Sequence, residues 1–295
     1  MDRLSGKILK GIGGFYYVKT DKGIFECKAK GRFRRDGMTP LVGDDAEVTV
    51  LDEAAFLGNL DEILPRRNAF IRPPVANIDI LIITISTSQP SPDLFLADKL
   101  SVTAQKAGIG CAFCVNKSDL DGTAAREICD IYKKAGFRSI CTCTTDGAGI
   151  DELKRLIYGR VCAFAGNSGV GKSSILNAVC ADAELETGAV SDKIKRGKNT
   201  TRHTELLPMP GGGAVLDTPG FSSFEVDEVR AEELAGLFPE IRAAVGGCRF
   251  SGCAHIKEPG CSVKAALENG KIPASRYSSY VELYNTLKEI KEWMR

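Results

Sequence analysis

A chain of 295 residues is about twice the length of a typical domain, which predicts two or three domains and excludes a single small binding module. Hydrophobic residues at 43% and charged residues at 26% supply packed cores and exclude wholesale disorder. With 39 Lys+Arg against 38 Asp+Glu the formal net charge is +1, so any contact with nucleic acid has to come from local patches.

The start, Met1–Lys10, is charged and lacks the apolar run of a signal peptide. The most apolar stretch, Ile78–Ile85, is interrupted by Asp79 and is too short to span a bilayer, so a cytoplasmic protein is expected. Residues 1–64 hold short β-type runs (Lys7–Leu9, Phe15–Lys19, Ile24–Cys27, Ala46–Val50) between Gly-rich turns, and no helix-period segment intervenes. This predicts an all-β barrel of about five strands, of which the OB-fold is the commonest nucleic-acid-binding example. Lys28–Arg35 puts five cations and Phe33 into a predicted loop, a composition suited to phosphates and stacked bases and equally to a solvated basic loop.

Pro65-Arg66-Arg67 and Pro73-Pro74 mark a linker. Beyond it, Ile78–Ile85 reads as a buried parallel strand, Asp93–Ala107 as a helix and Ile109–Val115 as a strand. Helices over Ala124–Ala135 and Ile150–Tyr158 alternate with extended Ser139–Thr144 and Val161–Ala165. The alternation predicts βαβ units in a doubly wound α/β domain over residues 68–223. After Ser223 a third, mainly α domain over 224–295 is expected. It has helices at Glu225–Phe238 and Val263–Asn269 and a final amphipathic helix carrying Tyr280, Leu283, Leu287, Ile290 and Met294 on one stripe.

Gly166-Asn167-Ser168-Gly169-Val170-Gly171-Lys172-Ser173 fits G-x-x-x-x-G-K-S between the strand Val161–Ala165 and the helical run from Ser174. Such a loop converges backbone N–H groups on phosphate oxygens at the positive end of a helix. Lys172 would reach the β- and γ-phosphates, and the Ser173 hydroxyl would ligate Mg²⁺. Asn116-Lys117-Ser118-Asp119 follows a strand, and its carboxylate can accept both the ring N–H and the amino protons of guanine, a donor pair that adenine lacks. Asn116 would orient the loop and meet the base edge, while the Lys117 stem would lie across the ring. Asp217-Thr-Pro-Gly220 follows Ala214-Val-Leu216, as expected for an acidic residue delivered to the Mg²⁺ shell and a glycine N–H aimed at the γ-phosphate. In the polar stretch Lys193–Thr204, Thr200 and Thr201 are the candidates for ordering around the triphosphate, Thr201 as a second Mg²⁺ ligand. Cys143-Thr144 opens a segment similar to the loop that supports the base.

Cys248-x4-Cys253-x-His255-x5-Cys261 offers three thiolates and an imidazole, a complete tetrahedral set for one structural Zn²⁺. The other eight cysteines fall mostly on predicted strands and helices, where they read as small buried hydrophobes.

These guanine-nucleotide motifs stand in rotated order, with Asn116–Asp119 ahead of the phosphate loop, so the domain resembles a circularly permuted GTPase. Barrel, permuted GTPase and zinc domain in this order, with Ala76-Asn-Ile-Asp79 at the first GTPase strand, resemble the bacterial ribosome small-subunit-dependent GTPase A family. The resemblance implies a cytoplasmic GTPase; GTP/GDP, Mg²⁺ and zinc are what the residues themselves support, and a monomer is expected because no long apolar surface demands a dimer. The resemblance also implies assistance in late maturation of the small ribosomal subunit, with the barrel and zinc domain on its rRNA; no membrane and no DNA partner is expected. Two positions depart from the usual pattern. Phe221 stands where many GTPases carry a water-positioning Gln, and Asn199 stands where the family carries a His, with His203 as a candidate substitute. Two other readings compete: a GTP-gated RNA-binding module in which hydrolysis is incidental, and a P-loop kinase of a small metabolite, against which Asn116–Asp119 argues.

Overall fold

A computed structural model describes residues 2–35, 37–70, 73–180, 204–209, 212–217 and 229–293; the side chains of Arg34, Asp217 and residues 290–293 fall outside the description. Contacts divide the chain into two compact units. The first gathers Met1–Ile80, Ile157–Ala163 and Cys180–Phe221; the second gathers Leu81–Leu156, Phe164–Val179 and Ser222–Arg295.

The chain opens with β1 (Arg3–Ile12), β2 (Phe15–Thr20), β3 (Gly23–Ala29), a one-turn helix α1 (Arg32–Arg35), β4 (Asp45–Asp52) and β5 (Leu57–Ile63). Strand order β1-β2-β3-β5-β4 closes through a further β1–β4 pairing, with β3 and β5 parallel and the remaining pairs antiparallel, which is a five-stranded OB-like barrel. A register shift between Ile8 and Lys10 bends the ten-residue β1 enough to pair on both sides. Alternating residues turn Ile8, Val18, Phe25, Cys27, Ala46, Val48 and Leu60 inward. Phe33 joins this core from α1 and is 5% exposed, so the predicted basic loop is partly helical and its aromatic serves packing.

The linker is clamped. Arg66 donates from Nε and Nη2 to the two carboxylate oxygens of fully buried Asp44 at 2.7 and 2.8 Å, and Arg67 pairs with Asp79. A two-stranded ribbon, β6 (Ala69–Phe70) with β7 (Val75–Ala76), follows.

The α/β part contains β8 (Ile80–Ser86), α2 (Leu94–Lys106), β9 (Gly110–Asn116), α3 (Gly122–Lys134), β10 (Arg138–Cys141), α4 (Ile150–Ile157), β11 (Val161–Ala165), α5 (Lys172–Cys180), β12 (Glu205–Pro208) and β13 (Ala214–Asp217). Every residue of β8 is buried, Thr84 and Ser86 included, as its mainly apolar run predicts for a central parallel strand. Within the second unit β9 lies between β8 and β10, parallel to β10. Within the first, β11 runs parallel to β13, β13 antiparallel to β12, and β12 meets β1 at Lys10↔Glu205. Two of the helices begin at side-chain caps: Asp93 accepts from Leu96 N–H, and Asp121 from Thr123 and Ala124 N–H.

The helix predicted over Glu225–Phe238 takes another form where it is described. Residues 225–228 lie outside the description, Ala231–Leu237 is a 3-10 helix, and Phe238 is extended ahead of Pro239, which disfavours helix at the residue before it. Then come α6 (Pro239–Arg242), α7 (Ser262–Glu268) and α8 (Ala274–Trp293). The stripe Tyr280, Leu283, Leu287 packs with Leu234, Phe238 and Ile241 of its own segment and reaches Val102 of α2. Ile290 and Met294 lie outside the described side chains.

Candidate nucleotide and metal sites

The phosphate loop leaves β11 and enters α5 at Lys172, the strand–loop–helix context that its spacing requires. Gly166 lies at φ +138°, with its Cα so close to β8 that an added Cβ would sit 2.3 Å from the carbonyl oxygen of Thr84. Gly171, at φ +96°, would put a Cβ 2.2 Å from Nδ2 of Asn116. These glycines let the loop press on β8 at one end and on the Asn116 motif at the other.

Asn116 is 1% exposed; its Nδ2 donates to Val170 O at 2.9 Å and its Oδ1 accepts from the Thr142 hydroxyl at 3.2 Å. Both ends of the amide are thus engaged inside the protein. Lys117, at φ +62°, sends its ammonium to Gly169 O at 2.8 Å and to Gln89 O. Ser118 N–H donates to Thr142 O at 3.1 Å, and Leu120 N–H to Lys117 O at 3.0 Å, which turns the chain so that Asp119 is exposed. Cys143 is buried and its backbone closes a tight loop, donating to Ala148 O and accepting from Gly147, while Thr144 is half-buried at the loop's mouth.

Lys172 folds back over the loop, its Nζ 2.7 Å from both Gly166 O and Asn167 O, and burial lowers its pKa. An ammonium carries three donors, of which these carbonyls take two. Asn167 donates to Asp93 Oδ2 at 3.0 Å, tying the loop to the cap of α2. Ser168, Gly169, Ser173 and Ser174 occupy the loop and the first turn of α5, beside buried Val170. Asp217 ends β13, its side chain outside the description. Asn199, Thr200, Thr201, His203, Gly220 and Phe221 also lie outside it.

Two contacts of the site carried no sequence signal of their use. Thr142 joins the base-supporting segment to Asn116, and nothing local distinguishes it from any strand-end threonine. Asp93 caps α2, and its bond to Asn167 spans 74 residues, beyond the reach of any local pattern.

In the C-terminal segment the ligand atoms of Cys248, Cys253, His255 and Cys261 all lie within 4.8 Å of one another, a donor set and spacing that fit tetrahedral Zn²⁺. His255 Nδ1 is 3.5 Å from the Cys248 sulfur and 3.4 Å from that of Cys261. The Ser262 hydroxyl, 3.1 Å from the Cys248 sulfur, lowers that thiol's pKa and so favours the ligating thiolate. Glu258 accepts backbone N–H bonds from Ala254, Ile256 and Lys257, which hold its pKa to about 2 and brace the loop. Tyr277 and Tyr280 hydroxyls donate to the carbonyls of His255 and Ala254.

On the barrel, Lys30 pairs with Asp61 at 2.7 Å and Arg32 donates to the Asp61 carbonyl, whereas Lys28 is exposed. The aromatic beside Lys28 is Phe15, its register partner across β2–β3, which is 40% exposed.

Residues 63–227 match the model of the family described as RsgA GTPase, and residues 5–55 that of the RsgA N-terminal domain. A protein of Ruminiclostridium cellulolyticum named small ribosomal subunit biogenesis GTPase RsgA is 47% identical over 98% of this chain and 95% of its own length. One of the same name from Agathobacter rectalis is 43% identical over 98% of this chain and its whole length. Among solved structures, YjeQ from Thermotoga maritima is similar at a TM-score of 0.83 and 35% identity, covering 97% of this chain and 99% of that one. YloQ, described as a circularly permuted GTPase, is similar at 0.80 and 34%, covering 98% and 96%.

Proposed function

The chain is a member of the RsgA GTPase family and a GTP hydrolase, and from that premise we propose that it binds the small ribosomal subunit, assists its late maturation, and hydrolyses GTP to GDP and phosphate faster on the subunit than off it. The observation that carries the reading is the direct bond from Asn116 to the phosphate loop at Val170, because it brings a guanine-type motif and a triphosphate-type loop together across 54 residues. In this reading Asp119 takes the guanine edge, Lys117 and Thr144 flank the ring, and Cys143 shapes the floor. Backbone N–H groups from Asn167 to Ser174 surround the phosphates, and Lys172 trades a loop carbonyl for a phosphate oxygen. Ser173, Thr201 and Asp217 would hold Mg²⁺, which when bound neutralises charge on the phosphates. Cys248, Cys253, His255 and Cys261 would hold one zinc ion that fixes the loop between α6 and α7. Phe15 and Lys28 supply a stacking face and a cation for rRNA. The protein works in the cytoplasm in this reading; among the described residues no helix is long and apolar enough to cross a membrane.

The test is turnover with and without purified small subunits. A slow basal rate that rises strongly with subunits, and a drop of about 10²–10³-fold in the Lys172→Ala variant under both conditions, is the expected result. Equal rates with and without subunits would sink the proposal. Base recognition is tested separately. Asp119→Asn removes a charged acceptor and is expected to weaken GTP by roughly 10–100-fold while leaving the weak ATP affinity unchanged, as read by competition with a fluorescent nucleotide.

A further inference from the structure

Cys129, in the third turn of α3, and Cys141, the last residue of β10, bring their sulfurs to 2.8 Å. Both are free thiols. The same Cys141 sulfur lies 3.4 Å from the carbonyl of Ala125, one helical turn before Cys129. Two contacts a turn apart set Cys141 squarely over one face of α3. Cys114, on the neighbouring strand β9, is engaged elsewhere, its sulfur 3.1 Å from the Thr142 hydroxyl. A disulfide bond is about 2 Å long, so closing the pair takes a movement of under about 1 Å.

We propose that Cys129 and Cys141 are a thiol-modification site, closing to a reversible disulfide that staples α3 to the strand feeding the base-supporting loop. The chemistry is exchange with a small oxidised disulfide. The Cys141 thiolate attacks one sulfur of the reagent and expels a reagent thiolate, leaving a mixed disulfide. The Cys129 thiolate then attacks the Cys141 sulfur and expels the second reagent thiolate. Two protein thiols are oxidised and one reagent disulfide is reduced to two thiols. Half-exposed Cys141 meets the reagent first. Burial pushes the Cys129 thiol up to about 12, so the second step is slow and favoured by alkaline pH.

The residue after Cys141 is Thr142, which bonds Asn116, accepts from Ser118 N–H and donates its own N–H to Val115 O. A staple at Cys141 therefore stiffens the segment behind the expected base pocket. This consequence, unlike the bond itself, rests on the guanine-binding reading above, and it predicts slower release of GDP from the oxidised protein.

The experiment uses the full zinc-loaded chain with GDP, incubated with oxidised glutathione at pH 8.5, alkylated and digested with trypsin without reduction. Lys133, Lys134 and Arg138 lie between the two cysteines, so tryptic peptides carrying them separate unless a disulfide joins them. The expected result is one joined pair, two hydrogens lighter than the sum, which a dithiol splits. Recovery of glutathione on Cys141 with Cys129 alkylated would overturn the proposal. GDP release is then timed for the oxidised protein and for a Cys141→Ser variant treated alike. A several-fold slowing confined to the wild type supports the stapling effect, and equal rates with the peptides joined overturn that effect. A chain that holds no GDP at all would instead count against the guanine pocket.

Discussion

Replacing Arg276 by alanine is expected to destabilise the folded chain by about 3–5 kcal/mol, read as a loss in urea unfolding followed by circular dichroism. The guanidinium is 0% exposed on α8; it donates to Asp98 of α2 at 2.7 Å, to Glu240 of α6 at 2.6 and 3.3 Å, and to the Ser101 hydroxyl at 3.0 Å. The Phe238 ring lies 4.5 Å from its carbon and packs against the cation. Burial works against the charge, but the two carboxylates outweigh it and raise the Arg276 pKa. Truncation leaves Asp98 and Glu240 buried with no cation between them. Burial already raises the Asp98 pKa, and Arg276 is the leading influence that lowers it, so in the variant it rises further. A carboxyl whose folded pKa lies above its unfolded value makes the folded state relatively more stable as pH falls through that pKa. Part of the loss should therefore return on moving from pH 7 to pH 5. A pH-independent loss, or one below about 1 kcal/mol, would show that the cluster contributes little.

Gly166→Ala is the second substitution with a large expected effect. The new methyl meets the Thr84 carbonyl, which is backbone in the central strand of a packed sheet and has nowhere to retreat. Overpacking of this kind costs about 1–3 kcal/mol. A displacement of the phosphate loop by about 1 Å costs on the order of a hundredfold in a positioned site. Nucleotide affinity, titrated with a fluorescent GDP analogue, should fall on that scale while the far-ultraviolet spectrum persists. Gly122→Ala at the start of α3 is the control, since an added Cβ there meets nothing within 4 Å, and it should leave affinity unchanged.

What could be read in the sequence was what short-range physics controls. The β8 run, the alternation of the barrel strands and the phosphate loop each carry their signal within a few residues, and each stands where expected. The four metal-type ligands were legible for the same reason, lying within 14 residues. Phe33 misled because an aromatic among cations reads as a surface platform, whereas one turn of helix rotates it into the barrel core. The stretch ahead of Pro239 misled because helical composition does not reveal how a following proline tightens the preceding turn. Arg276 was invisible: its bond to Asp98 spans 178 residues, and an arginine on an amphipathic helix ordinarily reads as solvated.

The rung Lys10↔Glu205 bears on how shortened forms should be understood. β12 pairs with β13 along its length and meets β1 at the Glu205 rung, so a chain begun after the barrel would lose that rung and open the start of β12 to stray pairing. Poor behaviour in such a truncation would report a frayed, self-adhesive sheet margin as readily as the loss of the RNA contact proposed for the barrel. Point changes at Phe15 and Lys28 keep that margin covered and isolate the contact.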